Sequence, residues 1–380
     1  MQKLNIKEQI RKLYLVTTIG YFEIAGTSWV ALLALRGFSI LEIGILESIF
    51  HIVSSCFEIP SGVVADVFGR KRTMVLARIV SMVSSLLMIL SFNFQTVAFA
   101  IGFSAISYNL ESGTREALAY DSLKSVGQEG RYNDFASKEM MLYRITTSTA
   151  TLCAGIALWL GYRKAYAVDI IFNLIALGIA CSLKEVSAQK SLEVASNVEN
   201  VTGIHSDSRD TVAVIRERFH NVIFESLHFM RSNRNARSIM LVNAMIGAIS
   251  TLVLFFLQAK LPLAGLSDAL LGPALFVMGL GAAFGAKVVG CFPTWKYTKY
   301  MILSGIGVLF AFAMTFTGNP YVMICGGFVG SFFDDFLEVR TDVILNDMIL
   351  SEQRATLISV NSFAFSLTMI ILSTLMGSIM

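Results

Sequence analysis

Charge is what this chain has least of. Asp, Glu, Lys and Arg together make up 15% of its 380 residues, against 55% hydrophobic. Soluble domains carry roughly 25% charged residues, so a water-soluble globule is excluded. No removable leader is expected: residues 1–12 are basic, but the apolar run behind them lacks a small-residue cleavage pattern and reads as a first membrane span. Cys56, Cys153, Cys181, Cys291 and Cys325 all fall inside apolar runs, which argues against a disulfide framework. No nucleotide-binding motif occurs, so ATP is not the expected energy source. The net charge of +3 says little about partners. Neither nucleic acid, metal nor organic cofactor is expected.

What the chain has instead is apolar length. A helix needs about 20 mainly apolar residues to cross the hydrocarbon. Eleven such runs lie near 13–35, 40–61, 73–92, 96–122, 138–161, 165–183, 237–258, 267–290, 298–317, 320–348 and 356–379. Outer-membrane strands are about ten residues long and alternate, so a barrel is excluded and an all-α, polytopic membrane bundle is expected. The basic residues alternate in step. Lys3, Lys7, Arg11 and Lys12 precede the first run, and Arg70, Lys71 and Arg72 follow the second. Lys124, Arg131 and Lys138 follow the fourth, and Arg216, Arg218, Arg231, Arg234 and Arg237 crowd the long middle loop. The opposite loops hold only Arg36, Arg163, Lys164 and Lys260. The positive-inside rule therefore predicts a cytoplasmic N-terminus in a multi-pass protein of the cell membrane.

Between the second and third runs, residues 62–72 read GVVADVFGRKR. A basic, Gly-punctuated turn between two spans fixes topology. Gly62, Asp66, Gly69, Arg70 and Lys71 also match the signature loop of the major facilitator superfamily of secondary transporters, and Glu58-Ile59-Pro60-Ser61 is similar to that family's second helix. Val67 stands where the family usually has a basic residue. The resemblance implies two six-helix bundles: residues 1–184, then a cytoplasmic loop at 185–236, then 237–380, where eleven runs against the family's twelve mean either a truncated sequence or a second bundle without its last helix. It implies that Asp66 caps the start of the eleventh helix and that Arg70 pairs with Asp121 at the end of the fourth. The loop glycines would let the second and eleventh helices approach closely, while Lys71 and Arg72 enforce topology. In the middle loop, Val212, Ile215, Phe219, Val222, Ile223, Phe229 and Met230 recur at helical spacing and predict an amphipathic helix on the interface or on the protein itself. A short repeat, Asp121 with Arg131 and Asp347 with Arg354, matches what two parallel halves would show.

An ionisable side chain at membrane depth is a functional candidate by default. Glu23 sits mid-way along the first span, beside Tyr21, Thr27, Ser28 and Trp29. It reads either as a pathway acid, able to take up and release a proton, or as a structural hydrogen-bonding group. Glu47, His51, Ser54 or Ser55, and Glu58 share one face of the second span, as a proton relay or an interhelical polar seam. Glu111 and Arg115 stand four apart in the order that favours a helical ion pair. Asp334, Asp335, Glu338, Arg340 and Asp342 cluster on the tenth span, which implies a hydrated interior. The expected function is a secondary transporter moving a small solute by alternating access, proton-coupled, with Glu23, Arg115 and Asp335 lining one cavity and Glu111 and Glu338 beside them. By resemblance, spans one, four, seven and ten line that pathway. Efflux as an antiporter is the lean, although the fifth span lacks the Gly-Pro-rich pattern of drug–proton antiporters and the fourth lacks their Arg–Gln-Gly arrangement. A prenyltransferase-type membrane enzyme needs acids in two separate helices, and only one such cluster exists here. A non-transporting remnant is the third reading. The partners expected are a small-molecule substrate, protons or another coupling ion, and membrane lipids, with the chain a monomer.

Overall fold

The structure is a computed structural model and describes residues 4–186, 234–348 and 354–380, with side chains given outside 346–360. The middle-loop amphipathic helix, and the Asp347 and Arg354 side chains of the repeat, lie outside the described residues. Among the described residues all regular structure is helical. Eleven rods follow the eleven apolar runs. Eight are single helices: Ile40–Phe68, Arg70–Leu90, Tyr162–Cys181, Arg234–Leu263, Asp268–Val288, Tyr297–Met314, Pro320–Met348 and Arg354–Ile379. Seven of these are long and apolar enough to cross a membrane, and Pro320–Met348 is not among them.

Three rods are interrupted. The first is Ile6–Gly20, then Ile24–Thr27 and Trp29–Leu35, with residues 21–23 out of helix. The fourth is Phe94–Glu111 then Thr114–Lys124, broken at Gly113, whose φ of 74° is left-handed. The fifth is Tyr132–Leu152 then Ala154–Leu160. Apolar length predicts a rod, but not whether its hydrogen-bond ladder runs unbroken.

The turn at 62–72 is also shorter than expected. Residues 62–68 stay helical, with Pro60 inside the helix, and only Gly69, at φ 93°, breaks the rod. The next helix starts at Arg70 without a side-chain cap from Gly69. Its first N–H groups go instead to Glu185: Arg70 N–H donates to Oε1 at 2.9 Å and Lys71 N–H to Oε2 at 3.0 Å. A carboxylate at a helix N-terminus satisfies orphan donors and meets the positive end of the dipole.

Two compact units emerge from the packing. One holds residues 4–26, 53–150 and 163–186; the other holds 27–52, 151–162 and the described residues from 234 on. The first is centred on Leu13, Val16, Met74, Leu118, Leu123, Phe135 and Leu183. In the second, Tyr300, Phe336, Leu337 and Val308 form a buried core. Its tenth span packs backbone-close on the eighth, where a Cβ at Gly281 or Gly285 would overlap the carbonyls of Phe328 or Phe332. Small residues at close crossings are how membrane helices gain van der Waals contact when lipid supplies no hydrophobic drive.

The second unit also contains the ends of the first, second and fifth spans remote from Gly69. Trp29 meets Phe255 edge-on at 6.2 Å. Ser48 Oγ donates to Ile370 O at 2.8 Å and shares hydrogen bonds with the hydroxyls of Ser373 and Thr374 at 2.6 and 2.9 Å. A Cβ at Gly44 would overlap the Ser373 carbonyl, and one at Gly155 would lie 2.6 Å from Asp268 O. The second and eleventh spans thus approach at Gly44. An added Cβ at Gly62, one of the loop glycines, would meet no described atom within 4 Å, and the side chains at the start of the eleventh span lie outside the described residues. The helix runs on past Gly62 to Phe68, so Gly62 sits on a helix face.

Candidate functional site: a buried charge network

Arg70 reaches from the start of the third span to the fourth, where its Nη1 donates to Ala117 O at 2.6 Å and to the Asp121 carboxylate. Asp121 is buried and Arg70 half-buried. Gly69 makes room for this end of the loop, since a Cβ there would lie 2.8 Å from Glu185 Oε2. Lys71 contributes its backbone N–H to Glu185. Asp66 is exposed, and the expected partner at the start of the eleventh span falls outside the described side chains.

Deeper in the same unit lies the main feature. Arg78, from the middle of the third span, is 3% exposed. Its Nη2 donates to Glu111, and its Nη1 donates to Gly20 O at 2.8 Å and to Asn173 Oδ1 at 3.1 Å. Arg115 is equally buried. It donates to Glu111 at 3.4 Å and Glu116 at 2.8 Å, and it pairs with Glu139 of the fifth span at 2.8 Å. The Glu111–Arg115 pair expected from spacing is thus present, but it bridges the break at Gly113, and Arg78 is a second cation on Glu111.

Tyr21 lies between the two guanidiniums, whose Cζ atoms stand 5.3 and 5.2 Å from its ring centroid. That is cation–π range. Thr17 donates to Glu139 at 3.1 Å. Glu23, half-buried, accepts from Asn173 Nδ2 at 2.9 Å and Ser81 Oγ at 3.4 Å. Asp169 of the sixth span is 1% exposed and accepts from the N–H groups of Ile24, Ala25 and Gly26. Spans one, three, four, five and six all contribute. Sequence reading found Glu23, Glu111 and Arg115. It missed Arg78, Glu139, Asp169 and Asn173, although each is a polar group inside an apolar run.

The second-span stripe divides. Glu47 and His51 pair at 3.3 Å in the second unit, with His51 also 6.0 Å from the Phe365 ring. Ser54 donates to Asn109 Oδ1 at 3.2 Å in the first unit. Glu58 is exposed. The stripe thus holds two polar contacts, Glu47–His51 and Ser54–Asn109. On the tenth span, Asp335 is half-buried and Glu338 and Asp342 are exposed. The Arg340 guanidinium lies 5.7 Å from the Tyr300 ring centroid, beside the aromatic core. Asp335 and Glu338 belong to the second unit, and Glu23 and Arg115 to the first.

A family model described as Major Facilitator Superfamily matches residues 13–295. A search of curated proteins finds no match. Among solved structures, a mutant of the nucleoside transporter NupG is similar at 13% identity and TM-score 0.74, over 99% of this chain and 91% of that one. A bacterial homolog of the human lysosomal transporter Spinster, in an inward-facing, unoccupied conformation, is similar at 14% identity and TM-score 0.68, over 98% and 82%. A D-xylose–proton symporter is similar at 13% identity and TM-score 0.66, over 96% and 89%. At these identities the likeness is one of fold.

Proposed function

The chain belongs to the Major Facilitator Superfamily, and we propose that it is a secondary transporter that couples movement of a small solute to protons through the buried network of its first unit. Membership and fold support a transporter rather than an enzyme. The observation that carries proton coupling is the balance of that network. Among the described residues, the ion pairs of the network set Glu111, Glu116 and Glu139 against Arg78 and Arg115, and two further carboxyls, Glu23 and Asp169, are held beside them by Asn173 and by backbone N–H groups. Unmatched charge in a low-dielectric interior costs several kcal/mol per ion even after relaxation, on the order of the effective penalty for a buried ion. The surplus of acid is relieved by bound protons or by a cation. Release on one side and capture on the other then ties solute movement to a proton gradient.

The packing of the second unit supports alternating access. The ends of spans one, two and five remote from the 62–72 loop are sealed against the second half through Trp29, Gly44 and Ser48. The Arg70–Asp121 pair at the opposite end of the rods supports a cytoplasmic gate, with Gly62, Asp66 and Lys71 in the same loop. With the N-terminus cytoplasmic, the sealed ends face outward. Efflux from the cell membrane, by antiport, is the narrower form of this reading.

The test is reconstitution into liposomes holding a pH-sensitive dye, with an imposed pH gradient. A panel of nucleosides, sugars and cationic and neutral drugs is added in turn. At least one solute is expected to change the rate of proton movement, and the change is expected to disappear with an Arg78→Gln, Glu111→Gln double variant. Solute uptake that ignores the pH gradient would contradict proton coupling.

A further inference from the structure

The first span is interrupted where it carries Glu23, and other spans hold both sides of the interruption. In an unbroken helix the Gly20 carbonyl would accept from the Ile24 N–H. Here the two are separated and each has a side-chain partner instead. Arg78 Nη1 donates to Gly20 O at 2.8 Å. Asp169 Oδ1 accepts from Ile24 N–H at 2.8 Å, and its Oδ2 accepts from Ala25 and Gly26 N–H at 3.1 and 2.9 Å. Buried backbone groups must find partners, and these two side chains supply them from the third and sixth spans.

Both partners connect to Glu23 through one residue. Asn173 donates to Glu23 at 2.9 Å and to the Asp169 carbonyl at 3.2 Å, and accepts from Arg78 at 3.1 Å. The flanking glycines are shaped to the same arrangement. A Cβ on Gly20 would lie 2.5 Å from Arg78 Nη1, and one on Gly26 would lie 2.7 Å from Glu23 Oε2. The charged groups around Glu23 are Arg78 of the third span, Glu111 of the fourth and Asp169 of the sixth.

We infer that Arg78 and Asp169 are positioning residues for Glu23: they hold the first span open at residues 21–23 and so fix the Glu23 carboxyl against Asn173. This rests on the reading of Glu23 as the coupling acid and adds the groups that make its placement possible. A continuous helix would carry Glu23 on a helical face. The held break places it between two half-helices, where its contacts answer to residues on three other spans.

The experiment is infrared spectroscopy of the purified protein in lipid vesicles. The Glu23 carboxyl band is the one lost in Glu23→Gln. Asp169→Asn gives up one of the two acceptor oxygens and is expected to shift that band. Gly20→Ala, which changes no charge and displaces Arg78, is expected to shift it too. Gly178→Ala, where an added Cβ meets nothing within 4 Å, is the control and should leave it in place. Circular dichroism confirms folding, and if Asp169→Asn does not fold, Gly20→Ala decides. An unmoved band in folded Gly20→Ala would overturn the inference. A shifted band in a protein whose Glu23→Gln variant still follows the pH gradient would leave the positioning intact and remove the coupling role.

Discussion

Arg78 shows how one side chain can organise a membrane interior. It satisfies a broken carbonyl, an amide and a carboxylate at once, while 3% exposed. Removing one partner of a buried pair costs about 3–5 kcal/mol, because the other charge is left without compensation. Arg78→Ala is therefore expected to lower the thermal unfolding midpoint in detergent markedly, with Glu111→Gln added on top restoring part of the loss. If the double variant is as unstable as the two losses added, the pair is not coupled. The Arg70–Asp121 contact yields a second residue-scale prediction. Arg70→Ala and Asp121→Asn are expected to slow the transport cycle alike, and the double variant to be no worse than either alone. Full additivity would mean that the two act separately.

Elements were legible where the rule is length and illegible where the rule is hydrogen bonding. Eleven rods were readable from apolar runs and alternating Lys and Arg. The break at residues 21–23 was not, because its cause, Asp169, lies about 145 positions along the chain. Within the site, Glu23, Glu111 and Arg115 stood out as charges in apolar runs. Arg78, Glu139 and Asp169 obey the same rule and were recoverable from it, and Asn173 was recoverable as a polar amide inside an apolar run. Gly44 is another feature that only packing exposes. Gly44→Val would force its Cβ into the Ser373 carbonyl and so part the second and eleventh spans. A cysteine at Ser48, which is 6% exposed, is expected to resist a bulky thiol reagent in the parent protein and to react in the Gly44→Val background. Equal reactivity in both would show that Gly44 does not seal this end.

For the molecule as a whole, the Lys and Arg asymmetry predicts a cytoplasmic N-terminus with the 62–72 loop at the inner face. A cysteine at Ser206, in the middle loop, is expected to stay unlabelled by an impermeant thiol reagent in intact cells and to react after permeabilisation. Labelling of intact cells would invert the orientation. The central claim, that a buried acid network couples solute to protons, is tested most directly at Glu23. Glu23→Gln keeps size and hydrogen bonding but carries no titrating proton. In liposomes it is expected to abolish solute accumulation driven by a pH gradient while leaving counterflow exchange of the same solute largely intact. Accumulation under the pH gradient equal to that of the parent protein would contradict the account.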